Sequence, residues 1–557
     1  MKKLFYVFCF LSIVSCSNNF VGQKEENVEF STPQERAFFG YDLSSVHERE
    51  VNIKISAKTD DELSLFIKRL EPLGIEVLNS GEAFREGEKL INARISGDYP
   101  KTLRKIREMP EVIYADPNYK VSFADGYNSS SPCVPIFNPF GLTDGNLDDD
   151  PVGDEKEYAL RITEALRAYQ ELGYGDHTVW AGIVDTGTNA NHVDLRYEGN
   201  KKVVEILRTA FGGYGNQIED VTNGNSDYEM NYGGHGTHCT GSICAVGNNK
   251  KGMAGVAWKN VKFASYKGMM QGSGSHESIY GSLKDLANKV REKVSQEEQA
   301  TVPVNLSLGS NYTSGIELEA INYAMSKGIL PVIAMGNEGQ NVPSYPAGFP
   351  GVLSVGATGP RDEKTGFSTS GSWINVCAPG LNIISLGHSS PLSYVYMSGT
   401  SMATPFVTGV VTYLLSFNPK LTPYQIIAIL EQTADKINIK SKDPASRYDA
   451  NGFSKWYGYG RVNVYKAAKM VKEGKVPPKG DVYVETVLTV KTSRMHAPIH
   501  IYDKRTGVLV TMAVTYSFES GKAYADFRGL RAGTYEVYCN KISKDITIGN
   551  ENVTLEF

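Results

Sequence analysis

Asp185, His235, Asn337 and Ser401 are of the types that acyl transfer needs when water alone is too slow: an acid, a base, an amide donor and a hydroxyl nucleophile. Each stands in a glycine-rich turn that can present a side chain at the edge of a packed fold. The turns are Val184-Asp185-Thr186-Gly187, Gly234-His235-Gly236-Thr237-His238, Met335-Gly336-Asn337-Glu338-Gly339 and Ser398-Gly399-Thr400-Ser401-Met402-Ala403-Thr404-Pro405. A Ser hydroxyl is a weak nucleophile near neutral pH and needs an adjacent base. Ser401 opens an apolar helix running to about Leu415, where its own N–H lacks an intrahelical partner and can face a developing oxyanion. Taken alone, Ser401 reads equally well as a helix N-cap. Asp185 closes an apolar run, and a carboxylate buried there is costly without a donor. The imidazole of His235 is such a donor, and the pairing would hold it in one tautomer. Zinc on His235, His238 and Cys239 is the rival chemistry. Neither an H-E-x-x-H pattern nor a fourth ligand at regular spacing accompanies it.

These four motifs, in this order, resemble those of the subtilisin-like serine proteases, the subtilase family. The resemblance is close over residues 157 to 472 and looser before them. It implies that Asp185, His235 and Ser401 form a catalytic triad and that Asn337 is the side-chain half of an oxyanion hole. It assigns Gly272-Ser273-Gly274 and Ser307-Leu308-Gly309 to two edges that pair with an extended peptide. Tyr345-Pro346 resembles a cis peptide near the first specificity pocket. His238 becomes a packing residue and Cys239 a free, semi-buried thiol. The implied substrates are polypeptides, and the chemistry requires no cofactor. Asp194 and Asn249 resemble part of a calcium loop, although Lys250-Lys251 beside them is a poor neighbourhood for a cation. Structural calcium at Asp194 and Asn249 is thereby left open.

The elements that must position these groups follow from periodicity. Val179 to Val184, Val261 to Ser265, Val302 to Leu308, Ile329 to Ala334 and Val352 to Val355 are short, mostly apolar and rich in β-branched residues. Helical stretches such as Glu277 to Val290 and Gly315 to Ser326 lie between them. The fold class expected for residues 157–474 is therefore α/β, a doubly wound, mostly parallel sheet of the subtilisin-like kind. Sites on such sheets lie at the carboxyl ends of strands, which is where Asp185 and Asn337 fall.

Residues 47–122 read as βαββαβ, a small ferredoxin-like α+β domain. Standing directly before a subtilase-like core, this domain resembles the family's inhibitory propeptide, which folds the enzyme and temporarily inhibits it. Tyr114-Ala115-Asp116-Pro117-Asn118-Tyr119 resembles the closing motif of that propeptide. Residues 123–156, rich in Ser, Pro, Gly, Asn and Asp, form a linker and processing region. After Lys475 to Gly480, residues 481–557 alternate as strands, and Gly529 to Tyr535 resembles a turn of small transthyretin-like β-sandwiches. A C-terminal all-β sandwich is expected there.

The whole chain sets the setting. Its 557 residues exceed one core, and 41% hydrophobic with 21% charged residues fits an ordinary globular protein. A net charge of −5 gives no reason to expect nucleic acid. Lys2 and Lys3 precede the apolar stretch Leu4 to Val14, too short to span a bilayer. Ile13-Val14-Ser15-Cys16-Ser17 resembles the lipobox of bacterial lipoproteins. Residues 1–15 would then be a signal peptide, Cys16 the lipidated residue and 16–46 a tether. That predicts a protein of the cell envelope held to the membrane by acyl chains, on the outer membrane or cell surface in a diderm host. The five Cys beyond Cys9 and Cys16 form no dense disulfide framework. The sequence names no accessory subunit. The expectation is a lipid-anchored, self-processing endopeptidase favouring large apolar or aromatic P1 residues. The alternative is a catalytically silent surface binding protein that uses its C-terminal sandwich.

Overall fold

The computed structural model describes residues 45–123, 136–137 and 158–557, apart from short gaps at 211–217, 229–233, 250, 271, 340, 342, 439–440, 479–485, 520 and 541. The expected signal peptide, Cys16, the tether and most of the linker, including Tyr127 and Cys133, lie outside the described residues.

The N-terminal module runs β1 (Val46–Ser56), α1 (Asp60–Leu70), β2 (Ile75–Glu82), β3 (Glu88–Ile95), α2 (Tyr99–Arg107) and β4 (Val112–Phe123). Its antiparallel strand order is β4-β1-β3-β2. Helix α1 starts at a reciprocal capping box between Thr59 and Glu62 and buries Leu63, Phe66 and Leu70. Asp98 caps α2, with Pro100 in its first turn. Alternation in β1 predicts a strand buried on one face, yet Glu50 to Ile55 is buried without a break. Val51, Ile53 and Ile55 pack under the two helices. The polar residues between them find partners, Lys54 in the central module and Asn52 within the same sheet. Lys54 Nζ lies 2.7 Å from Glu319 Oε1, and Asn52 Nδ2 donates to Asn118 Oδ1 at 3.0 Å.

The central module carries β5 (Val179–Asp185), β6 (Val204–Ala210), β7 (Ile218–Asp220), α3 (His235–Cys244), β8 (Val261–Lys267), β9 (Ser273–Ser275) and α4 (His276–Lys293). It continues with β10 (Val302–Leu306), β11 (Leu308–Gly309), α5 (Gly315–Ser326), β12 (Ile329–Ala334), β13 (Leu353–Thr358), β14 (Val376–Pro379) and α6 (Thr400–Phe417). The main sheet has the order β14-β13-β12-β10-β5-β8-β6-β7. Every pairing in it is parallel except β6 with β7 at the edge. Strands β5, β10, β12 and β13 are buried throughout, as a sheet covered on both faces requires. Helix α6 is long and apolar enough to cross a membrane, but 94% of it is buried in this core.

The C-terminal module consists of β15 (Val487–Thr492), β16 (Pro498–Asp503), β17 (Leu509–Val514), β18 (Ser517–Glu519), β19 (Lys522–Arg528), β20 (Gly533–Cys539), β21 (Ile542–Ile548) and β22 (Val553–Glu556). They form two four-stranded sheets, β18-β19-β15-β22 and β17-β16-β20-β21. The module is fixed to the central one. Arg531 Nη2 lies 2.7 Å from Glu431 Oε1, Ser372 Oγ donates to Leu509 O at 2.8 Å, and Met512 N–H donates to Tyr345 Oη at 3.2 Å. The described residues of all three modules form one compact unit.

One pairing crosses between modules. The second half of β4 leaves β1 and runs between β9 and β11, antiparallel to both. Val121 lies opposite Gly274, Ser122 opposite Ser273 and Gly309, and Phe123 opposite Leu308.

Candidate active site

Asp185 is the last residue of β5 and is fully buried. Its Oδ1 accepts from the Thr186 N–H at 2.7 Å and from His235 Nδ1–H at 2.7 Å. His235 opens α3, and two features aim it. A Cβ on Gly236 would stand 2.1 Å from Gly187 O, so only glycine lets α3 approach the end of β5 this closely. Asp227 replaces an ordinary N-cap. Its Oδ1 accepts from Gly234 N–H at 2.8 Å and its Oδ2 from Thr237 N–H at 3.0 Å. Sequence reasoning missed Asp227; its signal was an acid in a Gly-Asn-Ser-Asp turn shortly before the histidine motif.

Ser401 lies in the first turn of α6. The N-cap of that helix is Gly399, without a side-chain cap, so Ser401 is not spent on capping. Its Oγ donates to Ser307 O at 3.1 Å, and Ser307 Oγ donates back to Ser401 O at 2.9 Å. Asn305 Nδ2 donates to Ser307 Oγ at 2.9 Å and so orients this pair from β10. The nucleophile candidate is therefore locked to the segment that borders the cleft.

Asn337 follows β12 through Gly336, whose φ of +97° is a conformation that strains any L side chain. Asn337 Oδ1 accepts from both Thr400 N–H and Thr400 Oγ1–H, each at 3.0 Å. That fixes which end of the amide points where. Nδ2 is left as a buried donor with no partner, a costly state that a ligand oxygen would relieve. Thr400, the residue that orients the amide, was also missed by sequence reasoning.

The predicted edge segments stand where β4 enters. Ser273 and Gly274 pair with it on one side and Leu308 and Gly309 on the other, with Gly272 and Ser307 next in line. An extended segment thus already occupies the groove that two sheet edges present. Tyr119, which ends the closing motif, is buried upstream of this pairing, stacked on Tyr312 at 5.2 Å between ring centres and edge-on to His276. Ser310, Gly336, Asn337, Glu338 and Ser344 wall a cavity of about 190 Å³ beside β4. Tyr345-Pro346, next to Ser344, is a cis peptide, and the Tyr345 backbone exchanges hydrogen bonds with Ser310 at 2.8 and 2.9 Å.

The metal expectations fare differently. Ligating atoms of Asp185, His235 and Cys239 converge within 4.8 Å. However, Asp185 and His235 are spent on their mutual hydrogen bond, and burial pushes the Cys239 thiol up to about 11. His238 Nε2 lies 3.0 Å from Ile383 O, outside that group. Cys239 is fully buried, more than the semi-buried thiol expected. Asp194 and Asn249 do not fit calcium, which takes six to eight converging oxygens. Asp194 is instead surrounded by donors: Asn249 Nδ2–H at 3.1 Å, Met253 N–H at 3.1 Å and Tyr394 Oη–H at 2.7 Å. Asn249 Oδ1 is taken by the Lys251 N–H. Burial pushes the Asp194 carboxyl up to about 6, against the pull of these hydrogen bonds. Cys239, Cys244, Cys377 and Cys539 are buried free thiols.

The arrangement offers a buried acid on an imidazole, a hydroxyl at a helix start and an unpaired amide donor, all beside a groove that takes extended chain. Comparison with known proteins points to a family. A family model described as the subtilase family matches residues 176–460. Thermitase of Thermoactinomyces vulgaris is 35% identical over 58% of this chain and 98% of its own length. A thermophilic serine proteinase of Bacillus sp. (strain AK1) is 31% identical over 67% of this chain and 76% of its own. Among solved structures, fervidolysin of Fervidobacterium pennivorans, a keratinolytic enzyme related to subtilisin, is similar with a TM-score of 0.65. It covers 93% of this chain and 80% of its own at 22% identity, a likeness of fold.

Proposed function

Because the chain belongs to the subtilase family and is a subtilisin-like serine endopeptidase, we propose that it is a lipid-anchored enzyme of the cell envelope that matures by cutting itself. In this reading Asp185, His235 and Ser401 are the triad. His235 Nε2 takes the Ser401 proton as Oγ attacks the peptide carbonyl. Asp185 holds Nδ1–H and stabilises the imidazolium that forms. The oxyanion falls to the Asn337 amide and the Ser401 N–H. His235 then protonates the leaving amine, and a water activated by the same ring releases the acyl group. No cofactor enters any step.

The observation that carries the reading is the pairing of Lys120 to Phe123 with both edges of the groove, beside Asn337 and Ser307. A peptide held there has its backbone fixed by strand pairing and its next carbonyl directed toward Ser401. The N-terminal module then acts as the inhibitor of its own enzyme, and the processed bond lies beyond Phe123, in the linker. Large apolar or aromatic P1 side chains are preferred, with Glu338 admitting some Lys or Arg. Anchoring rests on Cys16, in the lipobox-like segment.

The test is to purify wild type beside Ser401→Ala and determine mass, N-terminal sequence and peptidase activity. Wild type should begin within residues 124–156 and hydrolyse peptides; Ser401→Ala should stay uncut and inert. Normal maturation of the mutant without added protease would sink self-processing.

A further inference from the structure

The C-terminal module touches the N-terminal module directly, although neither the triad nor the groove needs it to. His496 Nδ1 lies 3.1 Å from Asp116 Oδ1. Arg85 of the N-terminal module lies 5.0 Å over the Tyr524 ring and 3.6 Å from Asp526 Oδ2. Met495 packs against a small apolar cluster of Ala83, Leu90, Tyr114 and Ile316, which Phe84 and Ile113 also join. That cluster draws on all three modules. So does Asp116. Its other oxygen accepts from Gly315 N–H at 3.0 Å at the start of α5, and Arg107 approaches Oδ1 at 3.4 Å. The C-terminal module is meanwhile anchored to the central one through Arg531, Leu509 and Met512, none of which touches this contact.

We propose that the face formed by Met495, His496, Tyr524 and Asp526 is a docking surface for the N-terminal module after cleavage. Its partner is this chain's own residues 45–123, retained non-covalently. The proposal rests on the reading of that module as an inhibitor. Once the bond beyond Phe123 is cut, β4 holds the groove only as a product strand, and edge pairing gives main-chain hydrogen bonds that water can replace. A ring-stacked arginine, a partly buried histidine–carboxylate contact and an apolar plug add contacts that water replaces poorly. They sit on a rigid platform, so little ordering opposes them. The cut module therefore leaves slowly, and the C-terminal module sets how slowly.

The experiment uses the full chain. Wild type, Met495→Ala, His496→Ala and Arg85→Ala are purified, and two readouts are followed from the same tube: the fraction cut, by gel, and peptidase activity. Wild type is expected to be cut well before it becomes active. The variants should be cut at the wild-type rate and become active about tenfold sooner, the effect of losing about 1.4 kcal/mol of retention. Final activity per titrated Ser401 should equal wild type, which shows that the variants are folded. Lys504→Ala, on the same module but away from this face, should keep the wild-type lag. Equal lags in all variants would overturn the docking surface and leave the inhibitor reading intact. Activity that appears in step with cleavage in wild type would overturn the inhibitor reading and the docking surface together.

Discussion

Removing the Asn337 amide tests the oxyanion assignment most directly. Thr400 gives two donors to Oδ1, which leaves Nδ2 as the buried, unpartnered donor of the amide. In the ground state a carbonyl oxygen meets it weakly; in the transition state the oxygen carries charge and the bond becomes charge-assisted. The cost found for the equivalent amide of subtilisin, about 2.7–4 kcal/mol, is carried over here. At about 1.36 kcal/mol per decade it gives a fall of about two to three decades in kcat. Asn337→Ala removes donor and anchor together. Asn337→Asp keeps the Thr400 bonds but puts an anionic oxygen where the donor was, and should fall at least as far. Thr400→Val keeps the amide and loses one of the two bonds that aim it, and should lose only several-fold. The assay is kcat and KM on a chromogenic peptide, with active sites titrated by a fluorophosphonate. A loss carried by KM with kcat intact would mean that the amide binds substrate uniformly and is no oxyanion donor. An unchanged kcat would remove Asn337 from the chemistry.

Other outcomes follow from the same geometry. Cys16→Ala should shift the protein from the detergent phase to the aqueous phase with kcat unchanged; continued partition into detergent would refute the acyl anchor. Peptide-library profiling should show preference for Phe, Tyr, Leu or Met at P1, each contributing roughly 1.5–3 kcal/mol by burial, with minor cleavage after Lys or Arg that Glu338→Gln abolishes. A strict basic requirement would contradict it. Burial would raise the Asp116 carboxyl, but His496, Arg107 and the Gly315 N–H outweigh it and hold it down at about 2. A folded value below the unfolded one means that ionisation stabilises the fold. That stability is present above the unfolded value near 3.8 and lost as pH falls toward 2. In the uncut Ser401→Ala chain, thermal stability should fall by roughly 2 kcal/mol over that window from this group. Adding Asp116→Asn should flatten the slope, and an identical acid profile would refute the linkage.

The candidate site was legible because each of its members sits in a local signal. Asp185 ends an apolar run, His235 and Ser401 begin helices, and Asn337 follows a strand through a glycine that must take positive φ. Helix Gly315–Ser326 was likewise readable, from its apolar spacing. What escaped were the groups that aim the site from a distance. Asp227 and Thr400 act through hydrogen bonds to other turns, and no spacing in the chain records such a bond. Strand β6 was missed because its exposure is mixed, and β21 because nearly all its side chains face solvent, so neither carries an apolar run. Lys54 gave no hint of a buried ion pair with Glu319, since a lysine between isoleucines reads as the wet face of a strand. Calcium at Asp194, left open by residue type, gains no support from the fold, which turns donors toward the carboxylate.

The strand β4 belongs to one sheet for its first half and to another for its second. In the proposed maturation its departure would uncover two short, parallel-running rims, β9 and β11, whose backbone it pairs here. Open strand rims are also what aggregating chains look for. The mature enzyme would thus begin its working life with a surface prone to self-association, and the residues that would make it receptive to an extended peptide would also admit its own unfolded copies. Digestion would be the remedy built into the slot: a chain that enters it extended would be cut. An enzyme with Ser401 replaced and its N-terminal module removed would keep the receptive slot without the remedy, and would be the form in which sticking outlasts cutting.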